Sequence, residues 1–168
     1  MATTYTLIDK TILSSSQASV TFSSIPSTYT DLKIMYTARS DNTNPSNTID
    51  LSFNGSTTGF TNRYLQASGT SPASGSNFAR YSGGMNSSIE TANTFSNGEI
   101  YIPNYAGSNN KSYSADAIYE NNSSSGNGLN MVADLWSNTA AITSITINGY
   151  AGNFVQYSSF YLYGIKNS

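Results

Sequence analysis

The chain has 168 residues, a formal charge of -2, no His and no Cys, and only 10% of it is charged. That length suits one domain with a substantial core. The missing imidazole and thiol exclude Ser-His-Asp triads, Cys-His dyads, HExxH metallopeptidases, disulfide frameworks and Cys-ligated zinc. The mild acidity gives no basic footprint for a phosphate backbone, so nucleic acid is not an expected partner.

Ser, Thr and Asn fill about two-fifths of the sequence, and 13 Tyr outnumber 7 Phe. The 38% apolar content, with 12% aromatics, is too high for a disordered tail. Thr and Tyr suit strands, the small polar residues suit turns, and strong helix formers are sparse. The composition predicts a compact all-β domain over residues 1–168. The start, Met1-Ala2-Thr3-Thr4-Tyr5, lacks the basic and apolar regions of a secretory signal, and no run reaches the roughly 18 apolar residues of a membrane-spanning helix. A chain made in the cytoplasm, with no membrane contact, is expected.

In chain order, strands are expected at Thr4 to Leu13 and Ala18 to Ser23, then at Asp31 to Arg39, where Leu32, Ile34, Tyr36 and Ala38 share a face. Thr48 to Phe53 repeats the alternation with Ile49, Leu51 and Phe53 inward. Phe60 to Ala67, Glu99 to Ile102 and Ser112 to Tyr119 follow. Leu129, Met131, Ala133 and Leu135 then form an apolar row that reads as a buried face. Ile142 to Ile147 and Phe154 to Ile165 complete the set. Turn signals include Pro26, Asn44-Pro45, Asn54-Gly55, Gly83-Gly84, Asn97-Gly98, Pro103-Asn104, Gly126-Asn127-Gly128 and Asn148-Gly149. Ser68 to Asn77 and Asn121 to Asn130 read as exposed loops, as does Asp134 to Ala141. About ten short strands predict an antiparallel two-sheet β-sandwich, with jelly-roll connections.

The last strand is apolar on both faces: Tyr157, Tyr161, Tyr163 and Ile165 on one, Phe154, Phe160 and Leu162 on the other. Such a strand is either central or covered by a neighbouring subunit. Tyr5, Tyr157, Tyr161 and Tyr163 are therefore the candidate interface residues.

The candidate chemistry is thin. Asp31 and Asp50 fall on faces expected to be wet, and the other carboxylates are scattered. Glu120 with Asp134 is the one acid/base pair to name, and nothing in the spacing brings them together. Asp41-Asn42-Thr43-Asn44 offers oxygen ligands for calcium but lacks the Gly and distal Glu of an EF-hand loop; an Asp/Asn-stabilised turn explains it better. Trp136 reads as core before it reads as a sugar-stacking platform. No catalytic residue, metal or cofactor is expected.

Several segments together carry a resemblance. They are Tyr5-Thr6-Leu7-Ile8, Ala18-Ser19-Val20-Thr21-Phe22-Ser23-Ser24-Ile25-Pro26, Tyr29-Thr30-Asp31-Leu32 and Ala38-Arg39-Ser40-Asp41. Glu99-Ile100-Tyr101-Ile102-Pro103-Asn104-Tyr105, Leu135-Trp136-Ser137-Asn138-Thr139-Ala140-Ala141-Ile142-Thr143-Ser144-Ile145 and Phe160-Tyr161-Leu162-Tyr163-Gly164-Ile165 complete it. The set resembles virion structural proteins of tailed bacteriophages, especially marine and cyanobacterial phages. The resemblance implies a non-enzymatic β-sandwich on a virus particle. A capsid decoration or cement protein is expected, bound to the major capsid protein and to copies of itself, with Ala2 to Thr6 or the final strand as docking region. The alternative is a tail-fibre or tail-tip module that binds host glycans.

Overall fold

The computed structural model describes residues 4–45, 47–77, 80–123, 126 and 128–166. Twelve strands are present: β1 (Tyr5–Ile12), β2 (Ser19–Phe22), β3 (Asp31–Ala38), β4 (Asn47–Phe53), β5 (Phe60–Ser68) and β6 (Ser71–Asn77), followed by β7 (Tyr81–Met85), β8 (Ser96–Ile102), β9 (Lys111–Ile118), β10 (Leu129–Trp136), β11 (Ile145–Gly149) and β12 (Ser159–Ile165). They form an eight-stranded sheet in the order β1-β12-β3-β8-β9-β10-β5-β6 and a four-stranded sheet in the order β2-β11-β4-β7. Every pairing between these strands is antiparallel. The all-β, two-sheet reading is correct; the strand order does not by itself establish jelly-roll winding.

The core lies between the sheets, because each contributes one apolar face. Leu32, Ile34, Tyr36 and Ala38 of β3 and Ile49, Leu51 and Phe53 of β4 are buried, as the alternation predicts. Trp136 is core as well, 1% exposed, with its ring centroid 5.4 Å from Phe53 and 6.1 Å from Phe60.

Strand β10 has the opposite parity to the one its sequence suggests. Asn130, Val132, Asp134 and Trp136 point inward, while Leu129 and Met131 are 45% and 56% exposed. Two inward requirements agree on this parity: Val132 and Trp136 fill the core, and β7, an edge strand paired only with β4, packs against β10. A buried amide must find an acceptor, and Asn130 Oδ1 accepts from Gly84 N at 2.8 Å. Further segments differ from expectation: Asp134 to Trp136, read as the start of a loop, belong to β10, and Asn121 and Asn130, at the ends of an expected exposed loop, are buried. Ser68 to Asn77 is mainly β6, closing a hairpin with β5 through Gly69 and Thr70. Gly83-Gly84 and Asn97-Gly98 lie inside strands rather than in turns. A Cβ on Gly84 would sit 2.4 Å from the Tyr119 ring, and one on Gly98 would sit 2.4 Å from the Tyr36 hydroxyl. These glycines admit close approach of large side chains. Of the expected turns, Asn54-Gly55 does adopt consecutive positive φ values, 53° and 74°. Asn127 of the Gly126-Asn127-Gly128 signal, and Ala2 and Thr3 of the expected docking segment, lie outside the described residues.

Gly84→Ala is expected to cost about 1–3 kcal/mol, through overpacking against Tyr119 and Asn130. Gly69→Ala, with open space around it, should lose only about 1 kcal/mol for its φ of 57°. Urea denaturation of both variants measures the contrast; equal losses would contradict it.

Candidate functional site

Charge burial comes first, because it decides which groups are free for chemistry. Asp31 is buried, not wet: Oδ2 accepts from the Tyr101 hydroxyl at 2.7 Å and Oδ1 from Asn104 N at 2.8 Å. That hydrogen bond pushes the Tyr101 hydroxyl up to about 12. Asp50 is half-buried, with an ion pair to Arg80 at 3.7 Å; burial outweighs that pair and raises its pKa. Arg39 is buried too and ties down the 88–94 loop, donating to the carbonyls of Thr91, Thr94 and Glu90. Lys111 is 1% exposed and donates to the carbonyls of Gly107, Asn109 and Thr139. Each of these cations crosslinks backbone.

Glu120 and Asp134 are not brought together. Asp134 pairs with Tyr113 across β9, and Glu120 lies seven residues further along, roughly 20 Å away at strand spacing. Glu120 is exposed and accepts from Asn122 N. Asp134 is 3% exposed, with Ser82 Oγ 3.4 Å from Oδ2 and no hydrogen-bond partner for Oδ1 among the described residues. Burial pushes its pKa up to about 8. The Asp41 segment is a hydrogen-bonded turn: Asn42 Oδ1 accepts from Asn44 N, and both Asp41 oxygens accept from Asn153. The Asn153 amide holds the Asp41 carboxyl below its ordinary range. Among the described residues no group of three or more His, Cys, Asp or Glu is placed to hold a metal ion.

The surfaces of the two sheets differ in kind. The outer face of the small sheet is polar, with Thr21 and Thr146 hydroxyls 3.0 Å apart and Asp50 and Ser52 nearby in register. The outer face of the large sheet carries Leu7, Met35, Leu65, Tyr101, Ile118, Leu129 and Met131, all exposed. Side chains directly opposite one another lie about 5 Å apart, so residues on one face form rows across the strands. The register gives one such row as Tyr161, Met35, Glu99, Asp116, Met131 and Leu65. An apolar, open sheet face of this breadth is the best candidate for binding.

Of the expected interface residues, Tyr161 and Tyr163 sit on this face. Both are half-buried and line a shallow depression of about 440 Å³ with Met35, Glu99, Asp116 and Ile118. Tyr5 is 51% exposed on the edge strand β1, paired with Ile165. Tyr157 is not in the last strand: it occupies a turn with φ 72° and is 68% exposed. The strand itself is flanked by β1 and β3, with Phe160 and Leu162 in the core and Tyr161 and Tyr163 half-buried on the outer face. Met35 is exposed on the face opposite Leu32 and Ile34, where the alternation of β3 places it; Ile118, Leu129 and Met131 did not stand out in the sequence as surface residues, and for the last two the shared parity of Val132 with Trp136 is the signal that identifies them.

The chain matches no family model, and no curated protein matches it.

The Asp134 carboxyl, raised from 3.8 to about 8 in the fold, favours the folded state when protonated and disfavours it when charged. Its contribution to stability is therefore fully present below about pH 4, declines as pH rises, and is gone above about pH 8. Asp134→Asn should gain on the parent protein across that interval, by several kcal/mol at about 1.4 kcal/mol per pH unit. Denaturation series from pH 4 to pH 9 measure it; a pH-independent difference would contradict it.

Proposed function

We propose that the chain is a non-enzymatic structural protein of a tailed-phage virion, a decoration or cement protein bound to the outer surface of the capsid. The observation that carries this reading is the broad apolar outer face of the large sheet, with half-buried tyrosines set in a shallow, open depression. Interfaces are rich in Tyr and Met, and the outer face of β12, β3 and β8 presents Tyr161, Tyr163, Tyr101 and Met35 around the Lys33–Glu99 ion pair. The resemblance of several segments to phage virion proteins gives the partner: the major capsid protein. In such a role many modest contacts, repeated over a symmetric shell, add up to tight attachment. A protein that binds assembled subunits and not free ones stabilises the shell by mass action. The low charge density favours close packing, because neighbouring copies repel weakly.

A tail-tip module for host glycans is the second reading. It draws on the same depression, where the Tyr161 and Tyr163 side chains lie beside Asn97, Glu99 and Asp116, groups able to stack on and hydrogen-bond a sugar.

Copy number in purified virions separates the two. The decoration reading expects a copy number comparable with that of the capsid subunits, and the tail reading expects only a few. Replacing Tyr161 and Met35 together by Asp should lower capsid occupancy about tenfold while the fold persists. Unchanged occupancy would contradict the use of this face.

A further inference from the structure

The β9–β10–β5 part of the same face adjoins the tyrosine depression, sharing Asp116 and Ile118 with it, and has an arrangement of its own. Ile118, Leu129, Met131 and Leu65 are 52%, 45%, 56% and 51% exposed on three adjacent strands. The register places Ile118 beside Leu129, and Met131 between Asp116 on β9 and Leu65 on β5. Two charges flank this apolar row. Asp116 stands directly opposite Glu99, an unfavourable like-charge pair. Lys33 neutralises Glu99 at 2.7 Å, and the Asp116 carboxylate has no hydrogen bond or ion pair among the described residues. On the other side Arg63 makes one hydrogen bond among the described residues, to the carbonyl of Asn62 at 2.9 Å, and meets no carboxylate. Both charges are exposed and border one depression of about 470 Å³ whose floor includes Met131 and Ala133.

We propose that this face binds a second copy of the chain about a two-fold axis running along β10. Such an axis exchanges β9 and β5, the two neighbours of β10, so each Asp116 meets the Arg63 of the second copy. An isologous contact requires a patch that complements itself, and an unpaired acid and an unpaired base on opposite sides of an apolar row meet that requirement. Arg63 pairs with Ala133 and Asp116 with Met131. The two charges are thus offset by two residues along the strand, about 7 Å, which an arginine side chain spans. Met131, Leu129 and Ala133 then pack against their own copies. Covering Asp116 with apolar surface would strand a desolvated charge, so the occupant must bring a cation to that point, and the second copy does. Strands in a sheet rotate by about 20° from one to the next. From β12 to β10, on which the axis lies, is four steps, so Tyr161 and Tyr163 face a direction about 80° from the contact, while Asp116 and Ile118, at the border of the two regions, are covered by the second copy.

Sedimentation equilibrium of the purified full chain over a dilution series tests this without any capsid, so it stands or falls separately from the virion reading. A reversible dimer is expected. Asp116→Arg and Arg63→Glu should each weaken it at least tenfold, and Met131→Glu should abolish it. The double exchange, Asp116→Arg with Arg63→Glu, should restore affinity to within about threefold, because the ion pair re-forms with reversed sign. Circular dichroism checks that each variant folds; all three positions are exposed. A monomer at every concentration overturns the proposal. So does a dimer indifferent to Met131→Glu, or charge reversals whose effects simply add.

Discussion

The edge of the small sheet sets the terms for much of this molecule. β7 has a partner on one side only, and its other side is buried against the large sheet. Leaving a buried amide such as that of Gly84 without an acceptor would cost on the order of 1–3 kcal/mol. The chain satisfies it with Asn130, placed on the inner face of β10. Because side chains alternate strictly along a strand, the same parity turns Val132, Asp134 and Trp136 inward and Leu129, Met131 and Leu135 outward. Core packing and a polar requirement inside the sandwich thus leave an apolar surface outside it.

The consequences run in both directions. Inward, Asp134 is carried into a site with one hydroxyl near one of its oxygens, and the fold holds it protonated up to about pH 8. Trp136 is delivered to the aromatic centre formed with Phe53 and Phe60. Outward, Met131 comes into line with Asp116 and Leu65, and the large sheet acquires a face unlike the hydroxyl-rich face of the small sheet. Function, on this account, resides in surfaces and not in a cleft.

Much of the fold was legible in the sequence wherever alternation and burial agree, as in β3 and β4. It was less legible where the decisive contact is non-local. Nothing within Leu129–Trp136 says that Asn130 will be needed 46 positions away by Gly84, so counting apolar residues assigns the wrong face. Gly83, Gly84 and Gly98 look like turn residues because local propensity knows nothing of Tyr119 and Tyr36 packing over them. β6, Ser-Pro-Ala-Ser-Gly-Ser-Asn, has almost no strand propensity of its own and is ordered by its hairpin with β5. Tyr161 and Tyr163 were found because aromatic residues on both faces of one strand need an explanation. Tyr157 was misplaced because the strand begins later, after a turn in which a tyrosine holds a glycine-like φ.

The parity of β10 is the claim on which the surface account rests, and the absence of native cysteine makes it directly measurable. Single cysteines introduced in turn from Leu129 to Ala133, in dilute protein, would report their reactivity toward a polar thiol reagent. The account predicts alternation, with positions 129, 131 and 133 labelling rapidly and positions 130 and 132 labelling only on unfolding. The reverse alternation would contradict it, returning Met131 to the core and removing the apolar face.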